Sequence, residues 1–103
     1  LILPFVNNWD DFGGMRQYVD WSSTTSKTYK SAPQHSQHWK IYHDQFYTDS
    51  NCKQDYKNFI STLLNRRNTY TGVLYKNDPT IFAWELANEP RAETLSGSAF
   101  KSW

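Results

Sequence analysis

Several features are scarce in this chain of 103 residues, and each scarcity excludes a class of protein. Cys52 is the single cysteine, so no disulfide can form within the chain. The cysteine count does not decide whether the protein lies in an oxidising or a reducing compartment, because a partner for Cys52 could lie in further sequence. The net charge of +1 gives no electrostatic footprint for nucleic acid or for a membrane surface. No apolar run approaches the roughly 20 residues of a membrane-spanning helix. We therefore expect no nucleic-acid partner and no membrane partner.

Aromatic residues, by contrast, are abundant. Five Trp, seven Tyr and six Phe make up 17% of the chain, which is more than a small core needs. Aromatic rings are the usual platforms on which sugar faces or bases stack. Because the chain is almost neutral, the composition favours sugars over nucleic acid as the stacking partner.

Both ends of the sequence are typical of an internal segment. Residues 1–6 form an apolar run without an initiator Met, a cap or a polar lead. Residues 96–103 begin a helical pattern that stops within about two turns. An eight-stranded β/α barrel needs about 250 residues. We expect a fragment of a longer protein.

The order of the predicted elements indicates one crossover unit of a parallel sheet. Residues 1–6 predict a strand, and residues 15–21 predict a short helix. Residues 22–45 are polar with little periodicity, so we expect a long surface loop there. Residues 51–70 predict the clearest helix, and residues 80–84 predict a second strand.

The helix predicted over residues 51–70 rests on an apolar stripe. Asn51 and Gln54 resemble a capping box at its start, and Gly72 can close its end. The stripe repeats at steps of three and four residues through Tyr56, Phe59, Ile60, Leu63 and Leu64.

A carboxylate follows the second predicted strand. The run 80–84 is apolar and rich in aromatic and β-branched residues, as expected of a strand covered on both faces. Pro90 ends the strand, and Glu89 lies just before it. At a strand end the backbone is held by its neighbours while the side chain can meet a ligand, so we take Glu89 as the candidate catalytic acid. Asn88 beside it offers a donor and an acceptor.

Glu85 cannot supply the second carboxylate that glycoside cleavage needs. The two carboxyl groups lie about 5 to 5.5 Å apart in retaining enzymes and about 6.5 to 9.5 Å apart in inverting ones. Four residues of extended strand separate Glu85 from Glu89 by about 13 Å. Glu85 shares the face of Glu89 at a deeper position, where it would require a cationic or hydrogen-bonding partner. We therefore take Glu85 as structural.

The run Ile81-Phe82-Ala83-Trp84-Glu85-Leu86-Ala87-Asn88-Glu89-Pro90-Arg91 resembles the fourth barrel strand of glycoside hydrolase family 5, and more narrowly that of the endo-β-1,4-mannanases. Further blocks match in the same order: Val6-Asn7-Asn8-Trp9 with Phe12-Gly13-Gly14, Gln17-Tyr18-Val19 with Phe46-Tyr47-Thr48, and Leu64-Asn65-Arg66 through Tyr70-Thr71-Gly72-Val73 to Lys76-Asn77-Asp78-Pro79-Thr80-Ile81. The chain departs from the family at residues 22–45, where the family is usually shorter.

The resemblance implies an α/β fold, a partial (β/α)8 TIM barrel covering roughly the third strand to the start of the fourth helix. Residues 1–103 would then be a fragment of one glycoside hydrolase catalytic domain. The resemblance implies a secreted enzyme that is a monomer when full length and cleaves β-mannan by a retaining mechanism without a cofactor. Glu89 matches the family's acid/base and Asn88 the residue that holds the sugar 2-hydroxyl. The nucleophilic Glu comes from the seventh strand, so we expect the fragment alone to be inactive.

Four of the five tryptophans can be interpreted from their position. Trp9 falls on the loop after the first strand, where mannanases resemble one another in presenting an aromatic to the cleft, and it can be a sugar platform or a packing residue. Trp84 has the opposite strand parity to Glu89, so we expect it to pack in the core. Trp21 and Trp39 flank the polar stretch and can be either.

Three histidines raise the question of a metal site. His35 and His38 are three residues apart and could share a helix face, and His43 follows. Asp44 is the single Cys, Asp or Glu at a spacing from these histidines that is typical of zinc ligands, and the sequence predicts a loop in this region. We expect three solvated histidines and no metal.

Two alternatives remain open. The Asn-Glu-Pro run is shared by cellulases and exoglucanases of the same clan, and only the flanking blocks favour mannan. A non-catalytic carbohydrate-binding module would use the aromatic residues alone, but it predicts a sheet-rich chain, which the helix predicted over 51–70 contradicts.

Overall fold

The computed structural model describes residues 1–95 and Gly97, and it has an α/β arrangement. Within these described residues, two short strands and three helices follow one another, with single 3-10 turns at Asp11–Gly13 and Tyr75–Asn77. The elements are β1 (Ile2–Pro4), α1 (Gly14–Trp21), α2 (Gln37–Thr48), α3 (Ser50–Leu64) and β2 (Ala83–Glu85).

The strands β1 and β2 pair in parallel, with Leu3 opposite Trp84 in the register. The prediction of a parallel crossover unit is therefore confirmed. Both strands are shorter than predicted, but their pairing continues beyond the strand ends through Asn88. The Asn88 N–H donates to the carbonyl of Val6 at 2.8 Å, and the Asn88 carbonyl accepts from the Asn8 N–H at 3.1 Å. The backbone just before Glu89 is thus fixed to the extension of β1.

Helix α1 begins one residue before the predicted start and ends at the predicted residue. Its first residue, Gly14, has φ of 53°, and a Cβ there would lie 1.8 Å from the carbonyl oxygen of Trp9. Met15 then donates its N–H to the Asn7 carbonyl at 2.8 Å. The glycine therefore allows the loop after β1 to fold directly onto the start of α1.

Helix α2 was not predicted, and the expectation of a loop over residues 22–45 is wrong for its second part. The Ser36 side chain caps the helix by accepting the N–H of Trp39. The inner face of α2 carries polar His43 and Asp44 among its aromatic residues, and both are buried. These polar residues weaken the apolar periodicity from which a helix is normally recognised.

Helix α3 begins at a different cap from the one predicted. The Asp49 side chain accepts the N–H of Cys52 at 2.9 Å, so Asp49 is the N-cap, and Asn51 and Gln54 lie inside the helix. Asp and Asn are among the strongest N-cap residues because their side-chain oxygen accepts a free N–H of the first turn.

Helix α3 also ends earlier than predicted, at Leu64 instead of Tyr70. The residues beyond Leu64 offer no apolar side chain in the register of the stripe until Tyr70, which is exposed. The Asn68 side chain instead accepts the N–H of Tyr70 at 2.8 Å and forms a turn. Gly72, with φ of 73°, belongs to this turn and does not close the helix.

Aromatic side chains make up much of the core. Tyr18, Phe46 and Tyr56 contact one another edge to face, with ring centroids 5.6 to 5.9 Å apart. Such pairs contribute roughly 0.5–1.5 kcal/mol beyond the burial of their area. Trp84 packs against this core and stacks on Phe5 with centroids 5.0 Å apart, which confirms its predicted packing role.

Trp21 and Trp39, for which the sequence left packing and sugar binding open, differ in burial. Trp39 is 0% exposed and Trp21 is 66% exposed. The thiol of Cys52 is free and buried beneath the helices. Among residues 1–95 and Gly97, no helix is long and apolar enough to cross a membrane.

Candidate active site

Glu89 lies exposed at the carboxyl end of β2, where the chain leaves the sheet. Its φ of 50° is left-handed, a conformation that a non-glycine residue adopts at a cost of roughly 1–3 kcal/mol. Neighbouring hydrogen bonds hold the backbone on both sides of it. Asn88 is bound to β1 as described above, and the Arg91 N–H donates to Asn8 Oδ1 at 3.0 Å.

The side chain of Glu89 is held by Trp9. The indole Nε1 donates to Glu89 Oε2 at 2.7 Å, although the two residues are 80 positions apart. A hydrogen bond to a charged acceptor is shorter and stronger than one between neutral groups. The structure therefore brings together two of the three site residues predicted from the sequence.

The ring of Trp9 also has packing partners. Trp39 stacks on it with centroids 6.0 Å apart, and the His35 ring lies 5.0 Å away at a tilt of 57°. The guanidinium of Arg91 lies over the indole, 5.3 Å from the ring centroid. Trp9 is thus a packed, half-buried residue whose N–H reaches the candidate acid.

Asn88, the third predicted site residue, is exposed beside Glu89. Its Nδ2 donates to Asn7 Oδ1 at 3.0 Å, which fixes the amide between the two strand exits. Asn8 lies beneath them and is fully buried, and its Nδ2 has no hydrogen-bond partner within the part of the chain that the structure describes.

The surface beside Glu89 is open. Pro90 and Arg91 line a pocket of about 430 Å³ on the chain that follows β2.

Glu85, which we expected to lie deeper and to need a partner, is exposed at the end of β2. The partner that we expect for Glu85 comes from another strand, which this chain does not contain, so the expectation stays a prediction for the complete protein.

The three histidines do not come together as ligands. His35 lies against Trp9, and exposed His38 stacks on Tyr29 with centroids 4.3 Å apart. His43 is 0% exposed, so the expectation that it is solvated is wrong, because it lies on the inner face of α2. In residues 1–95 and Gly97, no group of three or more His, Cys, Asp or Glu side chains is arranged to hold a metal ion.

Asp44 is a residue whose role the sequence did not reveal. It is 2% exposed, and Oδ1 lies 2.9 Å from His43 Nδ1. Oδ2 accepts from the N–H of Thr94 at 2.5 Å and from its hydroxyl at 2.7 Å. Burial raises the pKa of Asp44, but the hydrogen bonds from His43 and Thr94 outweigh it and hold that pKa below its ordinary value. Asp44 is therefore a buried carboxylate that binds the segment following Glu89.

A carboxylate held at the carboxyl end of a parallel strand lies where β/α-barrel enzymes keep their catalytic residues. The model of the glycoside hydrolase family 5 β-mannosidase-like proteins matches residues 1–103. The chain belongs to this family.

Similar proteins include plant mannan endo-1,4-beta-mannosidases. Mannan endo-1,4-beta-mannosidase 7 of Arabidopsis thaliana is 47% identical over 104 residues, which cover 100% of this chain and 22% of that protein. Mannan endo-1,4-beta-mannosidase 1 of Oryza sativa subsp. japonica is 44% identical, with 100% and 22% covered. The chain thus spans about a fifth of the length of these relatives.

Solved structures agree with the sequence comparison. The endo-beta-1,4-mannanase from Thermotoga petrophila matches with a TM-score of 0.79 and 48% identity, over 100% of this chain and 19% of that chain. The endo-1,4-beta-mannanase from Rhizomucor miehei matches with a TM-score of 0.75 and 38% identity, over 100% and 27%. The arrangement of strands and helices is therefore one that family 5 mannanases contain.

Proposed function

We propose that the complete protein containing this chain is a retaining endo-β-1,4-mannanase and that Glu89 is its acid/base residue. The observation that carries the proposal is the carboxylate of Glu89 at the carboxyl end of a parallel strand, held by the Trp9 indole at 2.7 Å. Catalytic residues of β/α barrels lie at that end of the strands. Membership of family 5 and the named activities of the similar proteins support mannan as the substrate.

We also propose a position in the barrel, which the resemblance to family 5 supports: β1 is the third strand of a (β/α)8 barrel and β2 is the fourth. Their parallel pairing with a helical connection between them is the relationship of consecutive barrel strands. The start of the fourth helix, predicted over residues 96–103, lies outside the described residues apart from Gly97.

In the proposed reaction Glu89 gives its proton to the glycosidic oxygen as the bond to the sugar breaks. A second carboxylate attacks the sugar carbon and forms a glycosyl-enzyme intermediate, at the separation of about 5 to 5.5 Å that a retaining mechanism needs. Glu89 then removes a proton from the water that releases the sugar. The second carboxylate lies outside this chain.

Trp9 assists Glu89 in this scheme. An indole N–H can only donate, so the bond at 2.7 Å stabilises the carboxylate that remains after Glu89 has given up its proton. It also restricts the rotation of the Glu89 side chain. The exposed part of the Trp9 ring can in addition contact a sugar.

Asn88 is proposed to orient the substrate. Its Nδ2 is bound to Asn7, so the amide is held in one orientation beside Glu89. An amide oxygen fixed in this way is an acceptor for a sugar hydroxyl, which the resemblance assigns as the 2-hydroxyl. No cofactor enters the scheme.

A cellulase or exoglucanase of the same clan is the second candidate, since it would use the same acid. Initial rates of the complete enzyme on mannan, glucomannan and carboxymethylcellulose separate the two, and a preference for carboxymethylcellulose would contradict the mannanase assignment. A non-catalytic carbohydrate-binding module is disfavoured by the three helices and by the small sheet.

We also propose that the complete protein is secreted and monomeric. Both properties are open to direct measurement, by detecting the protein in culture medium and by light scattering after size-exclusion chromatography. An intracellular protein or a stable dimer would contradict this part of the proposal.

The test of the proposed function is Glu89→Gln in the complete enzyme, with Glu93→Gln, in the segment that follows the same strand, as the matched control. Loss of general acid catalysis should lower kcat/KM on mannan by roughly 10²–10⁴-fold, while Glu93→Gln should stay close to wild type. Equal activity of Glu89→Gln and wild type would overturn the assignment. The isolated 103 residues should show no hydrolysis of mannan.

A further inference from the structure

Helix α2 contacts the chain that follows Glu89 through a buried carboxylate. Asp44 accepts the Thr94 N–H at 2.5 Å and the Thr94 hydroxyl at 2.7 Å, and both bonds end on Oδ2. Thr94 lies five residues beyond Glu89, at the end of what we call the 90–94 segment. The bonds therefore fix the far end of that segment to the helix.

The second oxygen of Asp44 is also used. Oδ1 lies 2.9 Å from Nδ1 of the fully buried His43. An ionised carboxylate only accepts, so Nδ1 carries the proton that joins the two side chains. Stacking on Trp39, with centroids 4.7 Å apart, holds the imidazole plane. Asp44 is thus constrained from both sides and cannot rotate without losing a hydrogen bond.

The 90–94 segment needs such a support because of Glu89. A non-glycine residue with φ of 50° keeps that conformation only where its surroundings over-determine it. The hydrogen bonds of Asn88 to β1 hold the chain before Glu89. After Glu89, the bonds from Arg91 to Asn8 and from Thr94 to Asp44 hold it.

We propose that Asp44, supported by His43, is a positioning residue that fixes the 90–94 segment and thereby the placement of the Glu89 carboxyl group for proton donation. This inference rests on the proposed function of Glu89. It gives helix α2, which the sequence did not predict, a role in the reaction, although Asp44 itself touches no reacting atom.

Two variants test the inference in a complete enzyme carrying this chain. Asp44→Asn replaces one acceptor oxygen by a donor NH₂ group, so the side chain can no longer accept from both His43 and Thr94. Thr94→Val deletes one of the two bonds to Oδ2, keeps the N–H bond and preserves the side-chain shape.

The control is Glu93→Gln. Glu93 pairs with Lys40 of α2 at 3.5 Å, between side chains that are 21% and 33% exposed. Such a partly exposed ion pair contributes little. The control therefore changes a contact between the same helix and the same segment without touching the buried carboxylate.

The measurement compares kcat/KM on mannan with kcat/KM on dinitrophenyl β-mannobioside, whose leaving group departs without a proton. Misplacement of a catalytic group by about 1 Å costs roughly 100-fold. We expect Asp44→Asn to lower kcat/KM on mannan by roughly 10- to 100-fold and kcat/KM on the activated substrate by less than about 3-fold. Thr94→Val should show the same pattern with a smaller loss, and Glu93→Gln should match wild type.

Several outcomes would overturn the inference. Equal losses on both substrates indicate general destabilisation, and unchanged kcat/KM on mannan in both variants indicates no role. A loss for Glu93→Gln as large as that for Asp44→Asn would also contradict it. If Asp44→Asn does not fold, Thr94→Val decides between these outcomes.

Glu89→Gln is measured in parallel. If Glu89→Gln remains active on mannan, the proposed function itself fails. If Glu89→Gln loses activity while Asp44→Asn and Thr94→Val match wild type, only the positioning role of Asp44 is wrong.

Discussion

Trp39 of α2 donates its indole N–H to the carboxylate of Asp10, with Nε1 2.9 Å from Oδ1 and 3.1 Å from Oδ2. Asp10 also accepts from Arg16 Nη1 of α1 at 2.8 Å. The loop after β1 is thereby joined to two helices directly beside Trp9. Since Trp39 stacks on Trp9, this carboxylate indirectly supports the residue that holds Glu89.

Trp39→Phe should therefore destabilise the complete enzyme, because the bond to a charged acceptor is lost and the smaller ring leaves part of the buried indole volume empty. A hydrogen bond to a charged group contributes about 1.5–3 kcal/mol, so we expect a loss of at least that size from urea unfolding curves. Trp21→Phe is the matched control, since Trp21 is 66% exposed. Equal stabilities of the two variants would show that the bond to Asp10 contributes nothing.

Trp9→Phe should lower activity more than stability. The substitution keeps an aromatic ring between Trp39 and Arg91 but removes the N–H bonded to Glu89 at 2.7 Å. We expect kcat/KM on mannan to fall by about 10-fold, the factor that corresponds to roughly 1.4 kcal/mol of lost transition-state stabilisation. Steady-state kinetics of Trp9→Phe beside Trp21→Phe make the comparison. Unchanged kcat/KM in Trp9→Phe would mean that the indole N–H does not assist Glu89.

Asp49 should make α3 sensitive to acid. Burial raises the pKa of Asp49, but the hydrogen bonds from Thr24, the Cys52 N–H and Ser22 outweigh it and lower the pKa to about 2. The folded-state pKa thus lies below the ordinary value of 3.8, so the stabilisation is present above about pH 4 and is lost as the pH falls through about 2.

Asp49→Asn keeps an N-cap side chain but removes the titrating group. We expect the fall in urea midpoint between about pH 4 and pH 2 to be shallower in Asp49→Asn than in wild type. Asp11→Asn, at an exposed position, serves as the control and should follow wild type. If Asp49→Asn and wild type lose stability in parallel over this interval, Asp49 does not cause the acid sensitivity.

Gly14→Ala should be far more damaging than Gly72→Ala. Both glycines have positive φ, 53° and 73°, but a Cβ at Gly14 would lie 1.8 Å from the Trp9 carbonyl oxygen, whereas Gly72 has open space. We expect a loss of about 1 kcal/mol for Gly72→Ala from conformation alone. For Gly14→Ala we expect about 3 kcal/mol or more, because the backbone must also move. Thermal unfolding of both variants measures the difference, and similar losses would contradict the close contact with Trp9.

The sequence predicted those parts of the fold that local patterns determine. The apolar runs gave the two strands and their parallel crossover, and strand parity placed Trp84 in the core. Helix α2 was not predicted because its buried face includes His43 and Asp44, and polar residues at these positions are typical of a solvated loop. The end of α3 was predicted too late because Gly72 was taken as the residue that closes the helix, while Asn68 forms a turn before it.

The residues of the candidate site could be predicted from the sequence, but the contacts between them could not. Glu89 and the adjacent Asn88 follow from their place at a strand exit, and the resemblance added Trp9 as a possible cleft residue. The bond between Trp9 and Glu89 joins residues 80 positions apart, and no spacing in the sequence specifies such a contact. The same is true of Asp44 and Thr94, which are 50 positions apart.

The pairing of β1 with β2 also has a consequence for folding. The contact between Trp9 and Glu89 closes a loop that contains all three helices, and long loops must be closed before such a contact can stabilise anything. A partly folded chain can therefore have its helices formed while the acid group is still unplaced. The gain of hydrolytic competence should then be among the last events of refolding, after most of the helical circular dichroism has returned.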